Sequence, residues 1–401
     1  MTKNINFPIP ELLAPAGSLE KLKTAVLYGA SAVYLGGQKY GLRAAADNFN
    51  REQMIRAVEF AHAHGAKVHV VLNAFLHDSD FVGLSDYAAD LKVIGVDSVI
   101  VSDLGVIQTV IAAGGPEVHL STQASCLNAS AAKLWKAMGV SRVVLGREAS
   151  LEDAKAIKAA SGLEVEMFVH GSMCMAFSGH CVISNYTQGR DSNRGGCAHS
   201  CRHEYRIGLE AGEQEKNAFF MSSKDLEGLR QLKGYVDAGV DSLKIEGRMK
   251  SVHYAGTVTK VYAEALAHYA EHGNFLSDRL EEWASELRKV HHRAYTEASL
   301  VAPADASSIH NGHDSEGVES AVAGPIVAIT NDAMVIEVRK KFRLGEELEL
   351  VPFKGKSQIF SAQRLRTLSD NPLEETKPGS LVKIDLIPGA EECVLVRSTG
   401  A

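Results

Sequence analysis

The chain has 401 residues, of which 45% are hydrophobic and 23% charged, with a formal net charge of −7. These values describe a soluble globular protein with room for one large domain and a smaller one, and they exclude a broadly basic surface that binds nucleic acid by bulk charge alone. No apolar stretch approaches the roughly 20 residues that cross a bilayer. The N-terminus MTKNINFPIPELLAPAG lacks a basic segment followed by an apolar core, so a cytoplasmic chain with reduced cysteines and no membrane partner is expected.

From residue 11 to about 272, short apolar runs alternate with helical patterns. The runs are ELLA (11–14), AVYL (32–35), KVHVVL (67–72), SVIV (98–101), VHL (118–120), RVVL (142–145), EVEMFV (164–169) and DSLKI (241–245). They are short and rich in β-branched residues, as strands buried on both faces are. The phrases YGASAVYL, HGAKVHVVL, IGVDSVIV, MGVSRVVL and AGVDSLKI repeat one device: helix end, glycine, strand. Eight strand–helix units over about 260 residues match the size and period of a (β/α)8 TIM-like barrel. A doubly wound sheet is the alternative, because periodicity alone does not show closure.

The seventh unit is abnormal. About 70 residues separate the seventh strand from the eighth, and four of the six cysteines, Cys174, Cys181, Cys197 and Cys201, fall in the first half of that interval. The cysteine-rich loop, about 170–206, is thus an insertion on the face where barrels keep their active sites. Cys126 and Cys393 read as small buried hydrophobes. Four thiols in one polar loop read as a metal or cluster site. The gaps of six, fifteen and three residues lack the paired short knuckles of four-cysteine zinc sites. An iron–sulfur cluster tolerates such irregular spacing, so [4Fe-4S] is favoured, with zinc as the alternative.

Residues 273–300 read as helical and 301–319 as a linker. From 320 to 401, short strands separated by turn residues predict a small C-terminal all-β barrel. In a barrel, the residues just past each strand reach bound substrate. Asn73, Asp103, Gln123, Arg147, Glu148, His170, Glu246 and Arg248 hold such positions. Arginine offers a planar fork for carboxylates, so Arg147 and Arg248 are candidate holders of a small anionic ligand. Asp103, Gln123, Glu148, His170 and Glu246 are candidates to orient substrate or move protons. For each single residue a loop hydrogen bond or cap is an equal reading. Arg190, Arg194, Arg202 and Arg206 give the loop local positive charge, suited to loop carbonyls, to thiolates or to a nucleic acid.

The segments FVHGSMCMAFSGHCVIS and NRGGCAHSCR, with ELLAPAG, DSVIVSDLG, HLSTQAS, RVVLGRE and SLKIEGRMKS, resemble the family labelled peptidase U32 over residues 11 to about 300. With HHRAYT and the C-terminal β-domain, the chain is most similar to the branch of prephenate-dependent tRNA uridine hydroxylases. That resemblance implies O2-independent formation of 5-hydroxyuridine at wobble position 34, tRNA as partner and prephenate as co-substrate. It also implies an iron–sulfur cluster on Cys174, Cys181, Cys197 and Cys201. Sister branches, acting on ribosomal RNA cytidine or a ubiquinone precursor, remain alternatives, as does a collagenase-like peptidase. The peptidase reading is weakened by the residues themselves. His203-Glu204 opens a zinc-protease pattern, but Ile207 stands where its second histidine belongs, and no GxSxG elbow is present.

Overall fold

The computed structural model describes residues 7–42, 48–208, 216–275, 277–312 and 321–399. Eight parallel strands form the core of its first, ten-stranded sheet: β1 (Glu11–Pro15), β2 (Ala32–Gly36), β3 (Lys67–Leu72), β4 (Ser98–Val101), β5 (Glu117–Leu120), β6 (Arg142–Val144), β7 (Glu164–Ser172) and β8 (Ser242–Ile245). Each pairs with the next, and β8 pairs with both β7 and β1, so the sheet closes into a barrel. Closure decides against the doubly wound alternative. Helices Leu19–Leu27, Arg51–Ala63, Leu84–Ile94, Leu104–Ala112, Ala129–Ala137 and Leu151–Ser161 follow the first six strands. Most open on a side-chain cap, with a full capping box at Asn50/Gln53 and at Ser150/Asp153. Gly29, Gly65, Gly95 and Gly139, the punctuation of the repeated phrase, all sit at φ between 76 and 103, where a side chain would be strained.

The barrel interior is less apolar than the strand sequences suggest. Glu11, His69, His119, Arg142, Glu166 and Lys244 point inward from six strands. Arg142 Nη1 lies 2.5 Å from Glu11 and 3.3 Å from Glu166, whose other oxygen lies 2.8 Å from Lys244 Nζ. Ser98 Oγ joins His69 and His119 at 2.7 and 3.1 Å. Burial alone would raise the Glu11 carboxyl, but His69 and Arg142 overcome it and hold the group well below the usual carboxylate range. Glu166 is 0% exposed, and Arg142 and Lys244 are its ion-pair partners. Arg142→Met is therefore expected to destabilise the barrel by about 3–5 kcal/mol, the range for breaking a buried pair, as read from urea unfolding. A loss below about 1 kcal/mol would show that the network relaxes around the gap.

After β7 the chain leaves the regular pattern. A short helix, Ile183–Gln188, lies among the cysteines, and a strand, Asp225–Glu227, runs antiparallel to the end of β7 before β8 is reached. The long helix Val252–His272 follows β8 and ends at Gly273, φ 69. The expected helix over 273–300 is shorter than the sequence suggested. It spans Ser277–Leu287, and Tyr295–Thr296 instead adds a strand beside Asp225–Glu227. Part of the expected linker is also packed. His310 N–H donates to Ser222 O at 2.7 Å, while 313–319 lie outside the described residues.

The C-terminal region forms a seven-stranded antiparallel sheet curved into a half-barrel, from Val322–Ile329 to Leu395–Ser398. It docks on the outside of the first barrel. Tyr28 OH donates to Val351 O at 2.6 Å and accepts from Leu395 N–H at 3.0 Å. Arg397, fully buried, bridges Glu349 and Glu286 at 2.8 and 2.5 Å and lies 3.3 Å from His253 Nε2.

Burial and then the Arg397 charge push the His253 imidazole down to about 3, and burial does the same to His170. Both are neutral when folded, whereas an unfolded histidine titrates near 6.5. As pH falls below 6.5 the unfolded chain takes up the protons first. Stability is therefore full above that value and drains between pH 6.5 and 3. Each histidine is expected to remove about 1.4 kcal/mol by pH 5.5. Thermal midpoints measured from pH 7.5 to 5.5 check this: His170→Phe flattens the decline, and a flat wild-type profile would contradict it.

Candidate functional site at the barrel mouth

The C-terminal ends of the strands surround a narrow cavity of about 60 Å³ lined by Tyr34, Asn73, Gln123, Arg147, Phe168, Lys244, Glu246 and Arg248, among others. Five of the residues expected there from sequence thus converge: Asn73, Gln123, Arg147, Glu246 and Arg248. The Arg147 guanidinium lies 4.2 Å from the Phe168 ring centre and 3.8 Å from Glu246 Oε2. Its Nε is buried without a hydrogen-bond partner among the described residues. Arg248, 5% exposed, donates to Asn48 Oδ1 at 2.9 Å. Its place depends on two glycines. A Cβ on Gly36 would come within 2.6 Å of its guanidinium, and one on Gly17 within 2.0 Å of its carbonyl oxygen.

Lys244 forms the cavity floor and is not among the candidates picked out by sequence. Its ammonium, held by Glu166, stands 4.6 Å from the centre of the Tyr34 ring. The signal for it is a charged residue inside the otherwise apolar run SLKI. Three cations therefore face the cavity against Glu246 and the floor carboxylate. Such an arrangement suits a small anion bearing carboxylates.

The other candidates lie elsewhere. Asp103 caps the helix Leu104–Ala112, accepting from Gly105 and Val106 N–H at 2.8 and 3.2 Å and from Leu76 N–H at 3.3 Å. Glu148 accepts from Ser178 N–H at 3.1 Å and from its hydroxyl, so it anchors the cysteine loop instead of lining the cavity. Arg194 pairs with Asp80 at 2.8 Å and donates to Phe75 O, beside a neighbouring groove.

His170 faces outward. Glu166 and Phe168 point into the barrel, and alternation would place His170 with them, but the register with β8 shifts from Lys244↔Phe168 to Ile245↔His170. Val169 is the extra residue of a bulge, and a one-residue slip reverses the face. His170 ends up buried among Tyr254, Tyr262 and Tyr295, with Nδ1 3.2 Å from Tyr262 OH.

The cysteine loop lies over this mouth. Ser178 receives the Arg147 N–H at 3.3 Å, Ser125 donates to its carbonyl, and Gly179 packs so closely that a Cβ there would meet Gln123 O at 1.8 Å. Phe75 N–H donates to Asn193 O at 3.1 Å from the opposite side. Cys174 is exposed, and Cys181, Cys197 and Cys201 are half-buried. Burial pushes the Cys201 thiol up, the adjacent Arg202 pulls it down, and the charges of Cys174, Cys197 and Cys181 push it up again. All three other thiols are thus within electrostatic reach of Cys201. Arg202 is fixed by Ser223 O at 2.7 Å and by Met173 O, which places a half-buried cation beside the thiols. Among the described residues, no group of three or more His, Cys, Asp or Glu side chains is placed to hold a metal ion. A mononuclear site needs each sulfur about 2.3 Å from one metal, whereas a cluster offers a separate iron to each thiolate.

A closed parallel barrel whose mouth combines clustered cations with a four-thiol loop, joined to a β half-barrel, defines the class. The chain belongs to Peptidase family U32: that family's description matches residues 17–310, and its C-terminal domain matches 319–397. Among similar proteins, "tRNA hydroxylation protein P1" of Bacillus subtilis is 42% identical, covering 85% of this chain and 83% of that protein. "tRNA hydroxylation protein P" of Escherichia coli is 33% identical, with 86% and 87% covered. The Escherichia coli "23S rRNA 5-hydroxycytidine C2501 synthase" is 34% identical over 85% of this chain and 52% of its own length.

Proposed function

We propose that this chain is a cytoplasmic RNA hydroxylase that forms 5-hydroxyuridine at wobble position 34 of tRNA, with prephenate as co-substrate and without O2. The observation that carries the reading is the similarity to proteins named for tRNA hydroxylation over more than four-fifths of the chain. The mouth supports it chemically: Arg147, Arg248 and Lys244 suit the two carboxylates of prephenate, while Asn73 and Gln123 offer amides to a base edge. Glu246, beside Arg147, is the acidic group available at the cavity to hold or move a proton. Cys174, Cys181, Cys197 and Cys201 would hold a [4Fe-4S] cluster, which supplies one-electron chemistry when bound. Arg202 would offset the negative charge of the thiolates.

Nucleosides from tRNA and 23S rRNA of a strain lacking the gene test the substrate. Loss of 5-hydroxyuridine from tRNA, reproduced in a strain unable to make prephenate, is expected. Loss of 5-hydroxycytidine from rRNA alone would move the assignment to the ribosomal substrate.

A further inference from the structure

The cysteine loop exposes apolar side chains that nothing in the mouth uses. Tyr186 is 87% exposed, Val182 54%, Phe177 53% and Met175 48%, although each is large enough to have been buried by a loop that wraps on itself. Val182 and Tyr186 are four residues apart at and within the helix Ile183–Gln188, so they lie side by side. Phe177 directly precedes Ser178, whose hydroxyl accepts from the Arg147 backbone N–H at 3.3 Å, so the exposed ring lies on the segment anchored to the end of β6. Arg190 is exposed beyond the helix, its N–H fixed on Ser184 O at 3.1 Å. In a chain of net charge −7, the segment from Cys174 to Arg206 carries four arginines against Asp191 and Glu204; Arg194 is paired with Asp80 and Arg202 is fixed on loop carbonyls, so Arg190 is the exposed guanidinium beside Tyr186's helix.

Exposed aromatic faces interleaved with arginine recognise unstacked bases. Rings accept any base face, and guanidinium groups take the backbone. We infer that Phe177, Val182, Tyr186 and Arg190 form a stacking platform for the unpaired nucleotides of an RNA loop, flanking the one nucleotide that enters the cavity. The inference rests on the RNA reading above and adds where and how the RNA is gripped. It also gives the insertion a second role, since the segment that carries the thiols then selects single-stranded over paired RNA.

Fluorescence anisotropy of an unmodified anticodon stem-loop RNA against the full-length protein tests this. Phe177→Ala and Tyr186→Ala are each expected to weaken binding about 5- to 150-fold, corresponding to about 1–3 kcal/mol per stacked base. Tyr186→Phe restores binding, and visible absorbance stays at the wild-type level in all three. The same RNA annealed to its complement competes poorly. Alanine variants that bind within about twofold of wild type, while the wild type still hydroxylates tRNA, would overturn the platform and leave the hydroxylase reading intact. Competition by an unfolded polypeptide as effective as by RNA would assign the face to a protein partner. A wild-type protein that neither binds nor modifies any RNA would overturn both.

Discussion

Cys201→Ser is expected to yield a folded protein that has lost its visible absorbance and its iron, and that forms 5-hydroxyuridine at a rate reduced by more than about 100-fold, beyond the range for losing a supporting group of a metal site. The loop that carries the thiols lies outside the large apolar core, which is built from the barrel strands and their helices. Its removal from service therefore leaves the thermal midpoint nearly unchanged. Cys201 is the informative choice because it is half-buried beside Arg202 and within electrostatic reach of the other three thiols. Serine keeps the size but offers no thiolate at neutral pH, so a ligand position is lost without a new cavity. A colourless wild-type protein with stoichiometric zinc would replace the cluster by a structural ion. A Cys201→Ser protein with full absorbance would remove Cys201 from the ligand set.

The second large effect concerns Arg248. Its guanidinium is buried at the cavity edge and held by Asn48, with Gly36 leaving the space it occupies. Charge-assisted hydrogen bonds are worth about 1.5–3 kcal/mol, so Arg248→Met is expected to raise KM for the anionic co-substrate about 10- to 150-fold. Gly36→Ala tests the same contact from the other side. A methyl group there meets the guanidinium at 2.6 Å and displaces it, so KM rises while every charge in the chain is retained. An unchanged KM in both variants would take Arg248 out of the ligand site.

Much of the barrel is legible in the sequence because its cues are local. A glycine after each helix and a run of β-branched residues after the glycine are set by backbone geometry within about ten residues. Strand-end positions follow directly, which is why Asn73, Gln123, Arg147, Glu246 and Arg248 emerge together. What escapes depends on contacts between distant segments. Glu148 follows β6 as expected, but its partner is Ser178, thirty residues on in an irregular loop. Asp103 serves the helix that begins beside it, a role any aspartate before a helix can take. His170 falls on the wrong face because a bulge at Val169 reverses the alternation, and pairing with β8 reveals it where composition does not. The charged residues inside the strands are visible in ELLA, KVHVVL, RVVL, EVEMFV and SLKI. Only closure of the sheet brings Glu11, Arg142, Glu166 and Lys244 within reach of one another, and so makes an ionic barrel core of them.

The decisive measurement is 5-hydroxyuridine, quantified by mass spectrometry in total tRNA from a strain lacking this gene and any redundant pathway, with the chain supplied on a plasmid. The wild-type chain is expected to restore the nucleoside, and the Cys201→Ser and Arg248→Met chains are expected to leave it near the deletion level. Restoration by Cys201→Ser equal to wild type, or no restoration by the wild type itself, would contradict a cluster-dependent tRNA hydroxylase.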